Sequence, residues 1–416
     1  RLSTHLTWNG TRLTSEHTRL QGVHLDLSVS GGLALNVPEL NLNWTLSGPR
    51  LEHFGFAKAR NADGIIQARG SLQGPLDSLR SSLQAEISEL RFPPLQASAL
   101  TLKADAGKLL QGPQGHLAGR LTGSGENLDL ETDFAFAGTI LHLNGLKARA
   151  PQTDLQGDLR LDWQNSSLQS ECTLQARDLS RLKAFLPDPA LSGGLTLQLK
   201  AEGALDNPKL TTDFQARNLS VSGLSLEALN GNLQITDPKQ QRLDLDIQAT
   251  NLSTGGIRAD QTAFTASGDH TGYQLTLETR GRALEPFQLH SAGSLRFTDQ
   301  GQVLSLTQGK GGYGGIPLAW SVPLRLESSL SGLQVSCEHM SLGRGRAEFA
   351  ANLGKERLQA HMQIANFDCS TLDLAGLPPL LGQAGLQLAL SGTRQRPEID
   401  LSLDLQGLRP VQEGLG

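Results

Sequence analysis

The sequence contains no long hydrophobic run, although 38% of its 416 residues are hydrophobic. No stretch approaches the roughly 18 consecutive apolar residues that a membrane-spanning helix needs, and none has the apolar core of a signal peptide. We interpret the chain, which begins at Arg1, as a piece of a longer polypeptide. Any membrane anchor or export signal is therefore expected to lie outside it.

Cysteine and histidine are too few or too scattered to predict a metal or catalytic site. Cys172, Cys337 and Cys369 are an odd number without CxxC spacing, which indicates neither a disulfide framework nor a zinc site. The ten histidines form no HExxH pattern, and no GxSxG elbow occurs. We predict no catalytic residue, no metal, no cofactor and no enzymatic activity. A pair of carboxylates brought together only by the fold, as in a polysaccharide-processing β-helix, is the enzyme alternative.

An excess of positive charge is also missing. The net charge is -5 with both signs scattered along the chain, so no basic face is predicted and nucleic acid is not an expected partner. The arginine pair Arg344 and Arg346, in the sequence GRGR, is interpreted as a turn.

One glycine cluster has the spacing of a phosphate-binding loop. Gly309, Gly311 and Gly314 match GxGxxG, but a dinucleotide site needs a helix to follow, and Pro317 and Pro323 oppose one. The cluster is therefore predicted to be a glycine-rich bulge or kink in a sheet.

Linkers and aromatic residues are scarce as well. No proline-rich, serine-rich or charged linker divides the chain, so residues 1–416 are predicted to form one continuous repetitive segment with no clear internal boundary. Aromatic residues are only 4% of the sequence. Because the core of a β-sandwich is filled by large interlocking side chains, this scarcity favours an apolar surface that is not covered by a second sheet.

What the sequence does contain is a repeated phrase of alternating apolar and polar residues around a glycine and a proline. In GLTLQLKAEGALDNPKLTTDFQA, Gly203 and Pro208 lie between two alternating runs, and in GLQLALSGTRQRPEIDLSLDLQG the equivalent pair is Gly392 and Pro397. A looser copy contains Gly70 and Pro75. Alternation gives each strand one apolar face, and glycine and proline mark the reversal of the chain. The repeats lie near residues 65–90, 174–221 and 363–410.

Alternation continues between these phrases, for example in the run Leu159, Leu161 and Trp163. Turn residues recur every 8 to 15 residues or so, which is typical of antiparallel strands joined by short turns. The fold class is therefore predicted to be all-β. About 30 strands at roughly 4.8 Å each would form a sheet on the order of 140 Å long.

Two short segments have a helical period instead. In ARDLSRLKAFLPD, one face carries Leu179, Leu182, Phe185 and Leu186, Asp178 can cap the start and Pro187 ends the run. The corresponding segment before the last phrase is STLDLAGLPPLLG. Its apolar positions are Leu374, Leu377 and Leu381. A few short helical turns are thus expected among the strands.

The phrase LQARDLSRLKAFLPDPALSGGLTLQLKAEGALDNPKLTTDFQARNLSVSGL resembles the repeated signature of TamB-type translocation and assembly module proteins, within the AsmA-like, bridge-like lipid transfer group. Similar wording recurs in ANFDCSTLDLAGLPPLLGQAGLQLALSGTRQRPEIDLSL. The resemblance implies a long antiparallel sheet curled into a U-shaped, taco-like hydrophobic groove. It also implies a location in the periplasm of a diderm bacterium, an inner-membrane anchor outside this segment, and a TamA-like barrel partner in the outer membrane.

The predicted function is a non-enzymatic conduit that carries phospholipids between the inner and outer membranes, with their acyl chains as the bound groups. A scaffold or chaperone-like module for outer-membrane protein assembly or secretion is the alternative function, and a closed β-solenoid or sandwich is the alternative fold. The residues predicted to line the groove share the apolar parity of their strands: Leu197, Leu199, Phe214, Leu245, Ile247, Leu388, Leu390, Leu401 and Leu403.

Overall fold

The computed structural model describes residues 1–22, 25–53, 62–91, 97–123, 125–185, 191–299, 301–329, 332–355, 357–371, 380–393 and 395–410. In this part of the chain the secondary structure is 27 β-strands with four short 3₁₀ turns, so the all-β prediction is confirmed. The chain divides into two compact units, Arg1–Ser222 and Gly223–Gly416. Each unit is described by itself.

The first unit contains 14 strands, each paired with the next in an antiparallel ladder. They are β1 Leu2–Trp8, β2 Arg12–Gln21, β3 Asp26–Ala34, β4 Glu39–Arg50, β5 Asp63–Pro75, β6 Arg80–Arg91, β7 Ala99–Gly107, β8 Gln114–Thr122, β9 Asn127–Ala137, β10 Ile140–Ala150, β11 Thr153–Asp162, β12 Ser167–Ala176, β13 Ser192–Ala204 and β14 Asn207–Val221.

The second unit contains 13 strands, also antiparallel to their neighbours. They are β15 Leu224–Asp237, β16 Arg242–Thr254, β17 Ile257–Asp269, β18 Gly272–Arg282, β19 Pro286–Thr298, β20 Gly301–Tyr313, β21 Ile316–Trp320, β22 Leu324–Ser329, β23 Gly332–Leu342, β24 Gly345–Gly354, β25 Leu358–Asp368, β26 Leu380–Gly392 and β27 Pro397–Pro410.

The repeated glycine–proline phrases form hairpins, as predicted for the two better copies. Gly203 on β13 pairs with Pro208 on β14, and Gly392 on β26 pairs with Pro397 on β27. Both glycines have a positive φ, 109° and 101°, which side-chain-bearing residues rarely adopt. Glycine is therefore the residue that lets these strands reverse.

For the looser copy, the prediction that Gly70 marks the reversal is wrong. Gly70 lies in the middle of β5, opposite Trp44 on β4 and Leu83 on β6. The glycine with the hairpin conformation is Gly74, whose φ of 108° matches that of Gly203. A 3₁₀ turn, Leu76–Ser78, then joins β5 to β6.

The first helical segment is confirmed as a 3₁₀ turn, Leu179–Ala184, between β12 and β13. Asp178 caps it, because its carboxylate accepts hydrogen bonds from the Ser180 amide (2.9 Å) and hydroxyl (2.8 Å). Leu179 and Phe185 are buried, whereas Leu186 and Pro187 lie outside the described residues.

In the second helical segment only the 3₁₀ turn Cys369–Thr371 is described, and Leu374 and Leu377 lie outside the described residues. The assignment of Leu381 to a helical face is wrong, since it lies in β26 and pairs with Arg409 on β27. The alternation that begins at this strand outweighs the leucine spacing that precedes it.

The glycine-rich stretch around Gly309 is a strand and a turn, not a nucleotide-binding loop. β20 has an irregular register opposite Ala292 and Gly293, and β21 begins directly after the turn, where a dinucleotide site would need a helix. β21 and β22 both pair with β20 and with β23, so together they occupy the place of one strand interrupted at residues 321–323.

Because the strands alternate in direction, successive connections lie at opposite ends of them. In the first unit we call one set of connections the hairpin rim, which consists of residues 9–11, 35–38, 76–79, 108–113, 138–139, 163–166 and 205–206. The other set is the plug rim. Its described residues are 22, 25, 51–53, 62, 97–98, 123, 125–126, 151–152, 177–185 and 191.

Buried apolar side chains concentrate at the plug rim. Leu51, Ala62 and Leu90 form a cluster that packs against partly buried residues of the sheet. Leu179 and Phe185 of the capped 3₁₀ turn are only 5% and 4% exposed. The largest cores of the first unit thus lie at one end of its strands rather than over their centres.

Candidate functional site

The candidate site is the apolar face that the strand register builds in each unit. In the first unit, one row of directly paired residues crosses all 14 strands and contains only leucine, alanine, glycine and phenylalanine. Its members are Leu2, Leu20, Leu27, Leu46, Ala68, Ala85, Leu102, Gly119, Leu130, Ala148, Leu155, Leu174, Leu197 and Phe214. Paired residues in a ladder point to the same side of the sheet, so this row is a continuous apolar strip.

The second unit has a corresponding row that crosses 12 of its strands. Its members are Gly231, Ile247, Phe264, Leu277, Ser291, Gly309, Trp320, Met340, Ala347, Ile364, Leu386 and Leu403. Only β22 is bypassed, because β21 takes its place between β20 and β23.

All nine residues predicted to line a groove lie on these apolar faces. Leu197 and Phe214 belong to the row of the first unit, and Leu199 lies two residues along β13, paired with Cys172 and Thr212. Ile247 and Leu403 belong to the row of the second unit.

The other predicted residues occupy rows beside it. Leu245 pairs with Leu233 and Ala266. Leu388 and Leu401 face each other across β26 and β27, while Leu390 faces Ile399. Their parity is therefore as expected, and their role in binding lipid stays a prediction.

The apolar face of the first unit is only partly shielded from solvent. From Leu27 to Phe214 every member of its row is intermediate in exposure, neither buried nor fully exposed. Among the described residues, the extensive contacts of each strand in this unit are with its hydrogen-bonded neighbours, and no second sheet is packed on the row. This arrangement disfavours the closed-sandwich alternative for the first unit.

The opposite face of each sheet is polar. Ion pairs bridge neighbouring strands there, such as Lys200 with Glu171 (Nζ–Oε1, 3.2 Å) and His290 with Glu278 (Nδ1–Oε1, 2.8 Å). A shallow concavity of about 790 Å³ in the second unit also lies over this polar side, where Arg280 and Lys310 contribute to its lining. Each sheet therefore presents two chemically different faces.

Two tryptophans on the apolar faces lie against glycines of a neighbouring strand. A Cβ atom at Gly70 would lie 2.7 Å from the Trp44 ring, and one at Gly309 would lie 2.0 Å from the Trp320 ring. The Trp320 indole N–H also donates to the Leu306 carbonyl oxygen at 3.1 Å. These pairs were missed in the sequence, because only the strand register shows which glycine faces which tryptophan.

The described residues offer no other obvious chemistry. Among them, no group of three or more His, Cys, Asp or Glu side chains is arranged to hold a metal ion. The buried thiol of Cys337 has a pKa raised by desolvation, which disfavours its reactive thiolate form. Within the described residues, no helix is both long enough and apolar enough to cross a membrane.

Comparison with known families adds an independent observation. Residues 145–310 match the family model described as TamB, N-terminal domain. Over this stretch the chain is similar to TamB. The match includes Leu197, Leu199, Phe214, Leu245 and Ile247, and it confirms the resemblance inferred from the repeated phrases. The chain matches no curated protein in a direct search. The TamB-type match connects the chain with the translocation and assembly module of the cell envelope, a family of assembly and transport proteins rather than enzymes.

Proposed function

We propose that the apolar faces hold phospholipid acyl chains, and that the chain is part of a non-enzymatic periplasmic conduit between the inner and outer membranes. The observation that carries this proposal is the row of 14 apolar residues across the first unit, which is continuous in register and not covered by a second sheet. A monomer rarely exposes so large an apolar surface without a ligand for it.

The energetics of lipid movement supply the reason. A phospholipid in water exposes about 30 methylene groups, each costing roughly 0.8 kcal/mol, so its transfer barrier is on the order of 25 kcal/mol. A strip of apolar side chains lowers this barrier, because the acyl chains exchange water for hydrocarbon. The short side chains of Ala68, Ala85 and Ala148 occupy less room over the strip than leucine would.

The polar faces support the same proposal. Their ion pairs are exposed, and exposed pairs need water on that side of the sheet. A sheet with one hydrated polar face and one apolar face suits a lipid carrier that works in an aqueous compartment. An inner-membrane anchor and a TamA-like barrel partner are further parts of the proposal, drawn from the TamB-type match.

Native mass spectrometry of the purified chain tests the proposal by detecting bound phospholipid. Leu199→Asp and Leu388→Asp each place a carboxylate on an apolar face, and each should reduce co-purifying lipid at least about tenfold. The matched controls are Gln198→Asp and Gln387→Asp, which place the same charge on the neighbouring residue and hence on the polar face. Circular dichroism should show the same β content in all four variants.

Wild-type chain that carries no phospholipid would contradict the proposal, as would equal lipid loss from apolar-face and polar-face variants. Cross-links from the sheet edges to unfolded outer-membrane proteins, with no lipid recovered, would instead favour the scaffold function.

A further inference from the structure

The hairpin rim of the first unit carries a line of exposed apolar side chains. Leu110 and Trp163 are 69% and 55% exposed, and Trp8, at the end of β1, is 54% exposed. The remaining exposed apolar side chains on this rim are Leu35, Val37, Leu76 and Leu205. Of the seven connections, only 138–139 neither contains nor adjoins a member of this line. Single exposed leucines are ordinary, but their repetition along one rim indicates an interaction surface.

Backbone hydrogen bonds link most connections of this rim to the next one. The amides of Leu35, Leu76, Trp163 and Leu205 donate to the carbonyl oxygens of Thr11, Pro38, Thr139 and Ser166 at 2.9, 3.0, 3.1 and 2.7 Å. Leu109, beside Leu110, donates to Leu79 at 3.2 Å, and Phe136 donates to Pro113 at 2.7 Å. These bonds join neighbouring connections, except that the bond from Phe136 joins the connection 108–113 to strand β9.

These backbone hydrogen bonds bear on whether the partner of the rim is a β-strand or a water-poor environment such as a bilayer. A β-strand partner binds through free backbone donors and acceptors at a sheet edge, whereas this rim consists of chain reversals that exchange backbone hydrogen bonds with one another. A water-poor environment, by contrast, penalises every unpaired amide, and the hydrogen bonds between neighbouring connections lower that penalty for this rim.

The charge and spacing of the tips point the same way. The charged residues within the seven connections are Asp77, Lys108 and Asp206, and those that adjoin them are Arg12, Glu39, Arg80 and Asp162, so positive and negative charges nearly balance along the rim. Successive tips are roughly 10 Å apart, with polar turn residues between them. A protein interface needs a contiguous apolar core, whereas a bilayer accepts isolated leucines and tryptophans at separate points.

We infer that the hairpin rim of the first unit docks on the surface of a lipid bilayer, with its apolar tips inserted among the headgroups. The contact depends on hydrophobic insertion rather than on anionic lipids. It is distinct from the proposed binding of acyl chains on the apolar face, because it uses different residues and a whole bilayer as the partner.

Flotation of the full chain with phosphatidylcholine vesicles tests this inference. The wild-type chain should float with the vesicles, and raising the salt from about 0.05 to 0.5 M should change the bound fraction less than twofold. Leu110→Asp and Trp163→Asp should each weaken partitioning about tenfold. Leu284→Asp is the matched control, because Leu284 is 91% exposed but lies in the connection between β18 and β19 of the second unit.

Brominated phosphatidylcholine supplies a second readout that does not depend on a charged variant. The lipid should quench part of the wild-type tryptophan fluorescence, and Trp163→Phe should remove a share of that quenching while leaving the far-ultraviolet circular dichroism unchanged.

Three results would overturn the inference. One is an absence of vesicle binding by wild-type chain, and another is an equal loss of binding in Leu284→Asp and Leu110→Asp. The third is a rim-dependent dimer without vesicle binding, detected by analytical ultracentrifugation, which would identify a second copy as the partner. The amount of phospholipid detected by native mass spectrometry does not depend on these three results, so a failure of this inference can be distinguished from a failure of the proposed function.

Discussion

The two rims of the first unit differ although the same strands end at both. At the plug rim, Leu51 and Phe185 are buried, and Leu51 packs in a cluster with Ala62 and Leu90. At the hairpin rim, Leu110 and Trp163 stand in solvent. Alternation along the strands thus determines the two faces of the sheet, but it does not determine what happens where the strands end.

The connections differ in length. The plug-rim connections 51–62 and 177–191 are 12 and 15 residues long, and their described residues include the buried side chains of Leu51, Ala62, Leu179 and Phe185. The hairpin-rim connections have two to six residues, which is enough to reverse direction but too short to cover neighbouring strands. Of the apolar side chains in these short connections, Leu79 is buried, whereas Leu110 and Trp163 are exposed.

The largest expected effect is at the plug rim. Phe185→Ala removes a buried aromatic side chain and should lower the free energy of unfolding by about 3 kcal/mol, measured by denaturant titration. A loss below about 1 kcal/mol would mean that this rim is not a core, and the contrast with the hairpin rim would fail.

A smaller effect is expected for the backbone of the hairpin rim. Gly203→Ala forces a side-chain-bearing residue to a φ of 109° and should cost about 1.5 kcal/mol in the same titration. The control is Gly107→Ala on the same rim, where a Cβ atom would meet open space and φ is not positive. Equal losses in the two variants would show that backbone conformation does not define this rim.

The Asp178 cap of the 3₁₀ turn Leu179–Ala184 should make the free energy of unfolding depend on pH. Hydrogen bonds from Ser180 hold the pKa of Asp178 below its usual value, so the folded state favours the ionised carboxylate. This contribution is complete above pH 4 or so and is lost as the pH falls through the lower folded-state pKa. Asp178→Ala should lower the free energy of unfolding by about 1 kcal/mol at pH 7, measured by denaturant titration. It should also make that free energy less dependent on pH in the acid range.

The matched variant for this cap is Asp178→Asn, which keeps a side-chain oxygen as acceptor but removes the charge. It should retain most of the stability at pH 7 while losing the pH dependence. If the free energy of unfolding still fell at low pH as in the wild-type chain for both variants, its pH dependence would be assigned to other carboxylates. One such group is Asp162 at the end of β11, whose pKa is lowered by hydrogen bonds from Asn165.

The smallest effect is predicted for the tips themselves. Leu110→Ala should change the free energy of unfolding by less than about 0.5 kcal/mol, because its side chain is 69% exposed. A larger loss in denaturant titration would mean that the hairpin rim contributes to a core, which would remove the difference between the rims.

The sequence predicted the faces better than the ends of the strands. Leu197, Phe214 and Ile247 could be assigned to an apolar face, because a period of two is local and survives any change in neighbouring strands. Trp163 was placed in a run of alternating strand residues, yet it lies in a turn directly after β11. A hydrophobic residue at a strand end looks the same in sequence whether it packs or protrudes.

Cross-strand relations could not be predicted from single segments. Gly119 did not stand out in the sequence, and the register alone shows that it continues the leucine row between Leu102 and Leu130. The reversal at Gly74 was assigned to Gly70 for a similar reason. Both glycines precede Pro75, and only the positive φ of Gly74 distinguishes them.

The alternation of strand direction also restricts how such a sheet can change in length. Inserting a single strand would reverse the direction of every later strand and transfer each later connection to the opposite margin. Inserting a hairpin preserves every later direction. Growth or loss during evolution is therefore expected in steps of two strands, and a duplicated pair would join the existing margins without disturbing the rest of the molecule.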